Sequence, residues 1–401
     1  MMIWFNMLIP IIAVIVLAVG FKKKMALWEY VLVFLIPILG IAIAKYTSVY
    51  SQTRATEYWN SYLVQAEYIE PWSTWVKKTC ERCHEECTGS GEDRTCHQEC
   101  ESYDCSYCDD NGPSWIAWDN LGRSYRISQD YFERLCRIWV KRQFVELNRH
   151  INYHNGFMSS CGQDGDKYVT SFDKVFEHTQ PVVTAHSYEN RVRSSKSIFN
   201  FQKVDPKDIS TYGLVDYRPA DLFGYNPIFG AVNDSASKRL AWWNAQLGSV
   251  KQVHMNIIVF HNKTISSAEM QRSYWKGGNK NEFILCIGVD SNNKIQWTKV
   301  ISWTEIEILK LRVERSVASM DFNLPTIVDT MAINVRKDFK RKEFKDFKYI
   351  SVEPTPFATV MAFVVTLILT VGISIFSIMN EFNVDGVEGD STRNFYRRKI
   401  K

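Results

Sequence analysis

Seven of the ten cysteines lie within 29 residues, in the pattern C-x2-C-x3-C-x8-C-x3-C-x4-C-x2-C. They are Cys80, Cys83, Cys87, Cys96, Cys100, Cys105 and Cys108. Thiols at this density either oxidise in pairs to disulfides or bind a metal as thiolates. Both outcomes are structural, because either one cross-links a small subdomain. No C-x-x-C here precedes a helix in a βαβ context, which is the setting of a redox motif.

A symmetry in the pattern favours disulfides. Two C-x3-C pairs stand on either side of the link 88–93, namely Cys83/Cys87 and Cys96/Cys100. Residues four apart lie on one face of a helix, and the link has the composition of a turn. A helical hairpin folded at the link would therefore set two pairs against each other, Cys87 with Cys96 and Cys83 with Cys100.

The other cysteines extend the same framework. Cys80 would face Cys105 or Cys108, and the leftover cysteine could reach Cys161 or Cys136. Disulfides of this kind persist outside the cytoplasm, although spacing alone does not fix their connectivity. We expect a structural disulfide framework made of the seven clustered cysteines and Cys161.

Zinc is the alternative for the same residues. Two C-x2-C knuckles have the spacing of a four-cysteine zinc site, with the ligands Cys80, Cys83, Cys105 and Cys108. His84 and His97 are spare ligands. This alternative applies if the region faces the cytoplasm, where thiols stay reduced. The disulfide hypothesis predicts no cofactor, and the alternative predicts zinc.

The middle of the chain offers little catalytic chemistry. Ser114–Asp119 and Ser124–Ser128 are predicted to form a β-hairpin, and a helix is predicted over Gln129–Ile151. His150 and His154 would lie on the end of that helix, but the H-E-x-x-H pattern of metalloproteases is absent, so we expect a surface pair. A nucleophile elbow, a phosphate-binding loop and a dinucleotide fingerprint are also absent. We predict no catalytic residue.

Three apolar runs must hold these regions at a membrane. They are Ile3–Phe21, Met25–Ala44 and Phe357–Met379, each close to the roughly 20 residues that a spanning helix needs. A cleaved signal peptide is the alternative for the first run. It is disfavoured because no basic residue precedes the run and a second apolar run follows at once.

Positive charge predicts the orientation of the spans. The short Lys22–Lys24 turn is expected in the cytoplasm, and the tail 380–401, which ends in a basic run, is expected there too. The N-terminus and the large soluble region would then lie outside. Arg336–Lys348 is also basic, but it belongs to a long translocated region, which is largely exempt from the charge rule.

The soluble stretch 46–356 carries 39 Lys and Arg and 39 Asp and Glu, so its net charge is zero. Surfaces that bind nucleic acid are usually strongly basic, so nucleic acid is not an expected partner. The expected partners are the lipid bilayer and another membrane or envelope protein. We divide the chain into a transmembrane hairpin (1–46), a cysteine-rich subdomain (47–112), a mixed α/β region (113–235), an α/β domain (236–350), a transmembrane helix (357–379) and a basic cytoplasmic tail (380–401).

The α/β domain has the clearest pattern, in the order α-β-α-β-β-α-α. Its strands are predicted at Val253–Phe260, Glu282–Val289 and Lys294–Ile301, the second of them an apolar strand buried between neighbours. Thr304-x-x-Glu307 has the form of a capping box that opens the next helix. Pro325 opens the last helix of the set.

This order, with the segments YWKGGNKNEFILCIGVDSNNKIQW and DFKRKEFKDF, resembles a TPM domain over about residues 236–347. The whole chain also resembles three-span membrane proteins of bacterial or phage genomes. The resemblance implies an α/β sandwich followed by a transmembrane helix, and we transfer no metal or phosphatase site from it. The predicted fold class is therefore an α+β membrane protein, with three transmembrane helices, a cysteine-stapled subdomain and a TPM-like α/β sandwich.

Three functions follow from these expectations. The first is a non-enzymatic membrane protein whose extracytoplasmic domain binds or stabilises another envelope protein. The second is an extracytoplasmic, phosphatase-like hydrolase by TPM analogy, for which the candidate carboxylates are Asp290, Asp321 and Asp329. The third is a cytoplasm-facing membrane protein that binds zinc at Cys80–Cys108. We expect the first, because no catalytic constellation is visible.

Overall fold

The structure is a computed structural model that describes residues 2–20, 27–88, 95–140, 142–147, 151–154, 157–160, 165–194, 201–217 and 222–380. Over these residues the fold is a mixture of helices and strands. Its α-helices are α1 (Leu8–Ile15), α2 (Leu27–Thr53), α3 (Gln129–Trp139), α4 (Pro206–Tyr212), α5 (Asp234–Lys251), α6 (Ser266–Tyr274), α7 (Glu307–Ala318), α8 (Leu324–Asp338) and α9 (Pro356–Asn380).

The strands of the described residues form one six-stranded sheet, one four-stranded sheet and three two-stranded pairs. They are β1 (Arg54–Ile69), β2 (Trp72–Val76), β3 (Thr79–Thr88), β4 (Thr95–Asp104), β5 (Tyr107–Asn111), β6 (Ser114–Asp119), β7 (Ser124–Arg126), β8 (Gln143–Val145), β9 (Ile151–His154), β10 (Phe157–Ser160), β11 (Lys167–Ser171), β12 (Pro181–Glu189), β13 (Ile228–Phe229), β14 (His254–His261), β15 (Glu282–Val289) and β16 (Ile295–Ser302).

The chain divides into two compact units. The first unit combines Met1–Thr56, Ser187–Phe201 and Glu343–Lys401, and the second combines Glu57–His186 and Gln202–Lys342. The first unit therefore holds the apolar helices, and the second holds most of the sheets.

In the first unit, α1, α2 and α9 pack together around Ile41 and Ala362. Two helical segments are long and apolar enough to cross a membrane, Val31–Thr53 in α2 and Pro356–Phe376 in α9. The apolar helix at Phe5–Val19 is shorter, so a third span stays a prediction. The predicted Lys22–Lys24 turn and most of the tail lie outside the described residues.

The six-stranded sheet of the second unit has the order β7-β6-β1-β11-β8, with β12 also paired to β1. It packs on α3 through the fully buried Phe132, Leu135 and Trp139, which recur at helical spacing. The predicted hairpin is present as β6 and β7. Because β1 pairs with both β6 and β11, this sheet draws on residues of the two regions 47–112 and 113–235.

The predicted helix Gln129–Ile151 is too long, and α3 ends at Trp139. Val140 follows with a left-handed backbone (φ 58°), its N–H bonded to the Cys136 carbonyl, and this closes the helix. The chain then enters β8 and later β9, which begins at Ile151. His154 therefore ends a strand, and His150 lies outside the described residues.

The α/β part of the second unit has the predicted order of elements, α5-β14-α6-β15-β16-α7-α8. Its sheet runs β13-β14-β15-β16, in which β14 and β15 are parallel and β15 and β16 form an antiparallel hairpin. All of β15 is buried, because α5, α7 and α8 cover one face of the sheet and α6 covers the other.

The predicted capping box is wrong in detail. Helix α7 begins at Glu307, but its N-cap is Ile306 and not Thr304. The Thr304 side chain is buried and donates to the Lys340 carbonyl at 3.1 Å, within an isolated β-bridge to Arg341. The hydroxyl thus attaches the chain after α8 and accepts the Ile306 N–H at 3.2 Å, but it does not form the reciprocal bonds with Glu307 that define a capping box.

Candidate functional site: a disulfide-braced acidic arm

The clustered cysteines lie on a β-hairpin and not on the predicted helical hairpin. Strands β3 and β4 pair antiparallel from Thr79 opposite Asp104 to Thr88 opposite Thr95. The C-x3-C spacing misled the prediction, because residues four apart share a face in a strand as well as in a helix. The connecting residues 89–94 lie outside the described residues.

Three disulfides cross this hairpin. Cys83–Cys100 and Cys87–Cys96 join directly opposed residues, with Cα atoms 4.0 Å apart in both, and Cys80–Cys105 closes the base with Cα atoms 5.8 Å apart. They are among the pairs that the hairpin hypothesis set against each other. A two-stranded hairpin without a hydrophobic core is at best marginally stable in water. The disulfides therefore supply the stability that a core would otherwise provide.

The remaining cysteines divide into bonded and free thiols. Cys108 is disulfide-bonded as well, and Cys161, the expected partner of a leftover cysteine, lies outside the described residues. Cys136 and Cys286 are free, so Cys136 does not take the leftover position. Burial raises the pKa of both free thiols, which keeps them protonated and weakly reactive.

The hairpin is the end of one continuous ribbon. Strand β1 pairs with β6, β2 with β5 and β3 with β4. From Gln65 onward the register stays the same: Ile69 faces Ser114, Trp72 faces Asn111 and Val76 faces Tyr107. We call residues 72–111 the arm. From Trp72 to Thr88 the arm runs 17 residues, which at about 3.3 Å each gives a strand path of about 55 Å.

A polar contact joins the two strands at the base of the arm, and the end of the arm is exposed. The Ser73 hydroxyl, on a residue that is 1% exposed, donates to Asp110 at 2.6 Å. Beyond it, the described side chains of β3 and β4 are exposed or half-buried. Neither face of the hairpin is therefore covered by the described residues of the chain.

The hairpin is strongly acidic. Residues 79–104 contain eight acidic and two basic residues, whereas the soluble stretch as a whole is neutral. Six of the acids are described on the hairpin strands, namely Glu81, Glu85, Glu86, Glu99, Glu101 and Asp104. Arg82 lies over the Tyr103 ring at 5.2 Å, and His84 lies 3.7 Å from Glu86 and 3.9 Å from Glu99. The arm thus concentrates negative charge on an exposed, braced surface.

Two groups of described residues on the arm have ligand atoms close enough together to hold a metal ion. The ligand atoms of His84, Glu86 and Glu99 lie within 4.8 Å of one another, and all three residues are exposed. The other group combines Glu85 with the bonded Cys87 and Cys96. The four cysteines of the zinc alternative are disulfide-bonded, and a sulfur in a disulfide is not a thiolate ligand. Zinc therefore stays a hypothesis for the reduced chain.

The three candidate carboxylates of the hydrolase alternative have separate local roles. Asp290 accepts the backbone N–H groups of Asn292 and Lys294, both at 2.9 Å, and so closes the β15–β16 turn. Asp321 lies exposed before α8. No hydrogen bond or ion pair among the described residues joins any two of the three.

Asp329, the third of these carboxylates, attaches α8 to α5. It accepts the Arg239 Nε–H at 2.5 Å and the Trp243 indole N–H at 2.9 Å. Burial raises the pKa of the Asp329 carboxyl, but these hydrogen bonds outweigh burial and the pKa is lowered. An ionised carboxylate that accepts two hydrogen bonds from the neighbouring helix is a packing contact between helices.

Sequence reasoning missed a buried polar junction between the two large sheets of the second unit. Glu57, which is 2% exposed, pairs with Lys280 at 3.3 Å and with Arg341 at 3.7 Å. Nearby, His254 Nδ1 lies 2.9 Å from Asn60 Nδ2. Single polar residues in three distant sequence segments give no pattern, so no signal in one sequence could have found this junction.

Burial shifts the pKa values of two groups at this junction, His254 and the neighbouring Glu282. Burial lowers the pKa of His254 to about 3, so the ring is neutral at physiological pH. Burial also raises the pKa of Glu282, against hydrogen bonds from the Tyr217 hydroxyl and from Asn279. Both residues begin strands of the parallel pair, whereas ligands of open α/β sheets bind at the carboxyl ends. The junction therefore holds the two sheets together.

No protein-family model, curated protein or solved structure matches this chain. The arm is therefore the candidate site on its own geometry: it is exposed, charged and covalently braced.

Proposed function

We propose that this chain is a membrane-anchored docking protein without enzymatic activity. Three transmembrane helices hold it in the bilayer, with the N-terminus outside and the C-terminal tail in the cytoplasm. The second unit stands outside the cytoplasm. Its arm binds a basic surface of another membrane or envelope protein.

The location is supported by two independent features. Two helices of the first unit are long and apolar enough to cross a membrane. Three disulfides lie in exposed or half-buried positions on the arm, and accessible disulfides of this kind persist where the surroundings are oxidising. An integral membrane protein with such bonds fits best with a soluble region that faces away from the cytoplasm.

The observation that carries the docking proposal is the construction of the arm. A ribbon of unbroken register extends beyond the six-stranded sheet and is braced at three points, and neither face of its β3–β4 hairpin packs against the described chain. Long exposed strand edges invite unwanted pairing unless charged side chains discourage it. A chain that keeps such an element, and rigidifies it covalently, uses it for contact with something outside itself.

The charge of the arm selects the partner. Two exposed acids near its end, Glu85 and Glu99, lie in the same part of the hairpin as Glu86. A complementary basic patch would gain attraction over a surface that is already fixed in shape, so binding loses little conformational entropy. Acidic side chains disfavour anionic lipid and nucleic acid as ligands of the arm.

The α/β part is proposed to be a TPM-like sandwich that supports the arm. Its support is the order α5-β14-α6-β15-β16-α7-α8 with helices on both faces of the sheet. This proposal concerns the fold, and the docking function does not depend on it.

Site-specific photo-crosslinking in native membranes tests the docking proposal. A photoreactive residue at Glu85 is expected to give a defined crosslink, and the same residue at Glu177, which is exposed outside the arm, is expected to give none. The reversal Glu85→Lys with Glu99→Lys should abolish a crosslink formed from a probe at Glu101. The matched reversal Glu177→Lys with Asp321→Lys should leave it intact. Equal crosslinking with both reversals would contradict the proposal.

A further inference from the structure

The C-terminal turns of α2, at the end of the apolar segment Val31–Thr53, carry large exposed aromatic side chains. Tyr46 is 71% exposed and Tyr50 is 49% exposed, and their rings stack with centroids 6.1 Å apart. The Arg54 guanidinium lies over the Tyr50 ring at 5.5 Å. The two tyrosines are four residues apart and therefore form one face of the helix.

The other face of this helix end is attached to the chain that enters α9. The Thr355 N–H donates to the Ser48 hydroxyl at 3.0 Å, and the Gln52 amide donates to the Glu353 carbonyl at 3.1 Å. The start of α9 thus lies beside Ser48. The C-terminal end of α2 and the start of α9 therefore lie side by side. Both long apolar helices of the first unit would enter a bilayer at this one level.

A third segment is attached at the same level. The Ser194 hydroxyl donates to the Gln52 carbonyl at 2.6 Å, and Arg191 donates to the Lys348 carbonyl at 2.7 Å and to the Ile350 carbonyl at 3.2 Å. Between these last two lies Tyr349, which is 71% exposed. We call residues 45–54, 187–194 and 343–355 the collar; all of them belong to the first unit.

Tyrosine is enriched where a bilayer meets water, because its ring is apolar and its hydroxyl is polar. Three tyrosines, each at least 49% exposed, lie at the level where one apolar helix ends and the other begins, and they match that distribution. Arginine beside them supplies a rigid donor fork that suits phosphate. The collar therefore has both the aromatic and the cationic groups that a phospholipid headgroup layer engages.

We propose that the collar is a phospholipid-binding belt: Tyr46, Tyr50 and Tyr349 lie in the headgroup layer, and Arg54 binds headgroup phosphate. This inference rests on the proposed membrane anchoring and adds to it the depth at which the protein sits. The belt lies in the leaflet on the side of the soluble region.

Nitroxide labels on single introduced cysteines test the depth in nanodiscs of mixed zwitterionic and anionic phospholipid. The background is Cys136→Ser, because Cys136 is the half-exposed free thiol and Cys286 is buried. Labels are placed in the belt by Tyr46→Cys, Tyr50→Cys and Tyr349→Cys. Accessibility to oxygen and to a water-soluble nickel chelate is measured for each label.

Three further labels separate the belt from the anchoring itself. Leu39→Cys and Ile368→Cys report the middle of the two long helices, where the native side chains are 51% and 63% exposed, and Val232→Cys reports a side chain that is 97% exposed in the second unit. The expected result places the helix labels in hydrocarbon, the belt labels at headgroup depth and the Val232→Cys label in water.

The belt proposal would be overturned if the belt labels were as accessible to nickel as the Val232→Cys label. The anchoring would still hold in that case if the helix labels lay at hydrocarbon depth. Aqueous helix labels would overturn the anchoring as well. Belt labels shielded from both reagents would show that a protein covers the collar, which also contradicts the proposal. Arg54→Gln should move the Tyr50→Cys label toward water if Arg54 binds headgroup phosphate, and an unchanged depth of that label would contradict the contact.

Discussion

Removal of the middle disulfide of the arm, by Cys83→Ser with Cys100→Ser, should loosen the hairpin without destabilising the rest of the second unit. Given the intact Cys87–Cys96 bond, the middle bond closes a ring of eight residue steps, four on each strand. In the chain-entropy description a ring of about eight residues is worth about 2.5 kcal/mol at 25 °C. Opening of β3 and β4 should therefore become about sixtyfold more frequent.

Native-state hydrogen exchange measures the opening frequency of the hairpin directly, because the β3 and β4 amides exchange when the hairpin opens. The amides of β14 and β15 serve as an internal reference, since the hairpin strands are exposed and bury no core residue of that sheet. Cys136→Ser is the matched control, because it removes a thiol that forms no disulfide. It should leave exchange in the arm unchanged.

Two results would refute this reasoning. Unchanged exchange in β3 and β4 would mean that the arm is held by something other than its covalent bonds. A parallel loss of protection in β14 and β15 would mean that the arm is part of the cooperative core, and an independent docking element would then be the wrong description.

Three further predictions concern the buried junction. Glu57→Gln leaves the partly buried cations Lys280 and Arg341 without their carboxylate, so the free energy of unfolding of the second unit should fall by about 2–3 kcal/mol, measured by denaturant titration. Because the pKa of His254 is lowered in the folded state, the second unit loses stability as the pH falls below the pKa of the unfolded chain. From pH 6.5 to 5 the loss should be about 2 kcal/mol. His254→Asn should remove this pH dependence in thermal melts. Because the folded pKa of Glu282 is raised, its contribution is present at low pH and lost as pH rises through that pKa, and Glu282→Gln should remove this decline.

The α/β part followed from the sequence because its signals are local. Apolar strands such as Glu282–Val289, and helices with one apolar face, are set by patterns within a dozen residues, and the structure has them in the predicted order. The end of α3 could not be predicted in the same way. Val140 adopts a left-handed backbone that its residue type disfavours, so tertiary context fixes the helix end there.

The arm shows where pattern reasoning is ambiguous. Cysteine spacing set the right residues opposite each other and still left open whether a helix or a strand carries them, because both place residues four apart on one face. The ribbon register, which makes the arm a single extended element, depends on pairing between strands up to about 50 residues apart and has no local signature. The junction around Glu57 is likewise a product of the tertiary fold.

Thiol accessibility in intact cells tests the central claim, an oxidised arm outside the cytoplasm, most directly. The assay uses the Cys136→Ser chain and a membrane-impermeant maleimide, applied before and after external reduction. Labelling of the arm cysteines that appears only after external reduction is the predicted result. Labelling that requires lysis and metal chelation, with no reductant, would place the arm in the cytoplasm as a zinc site and would contradict the account.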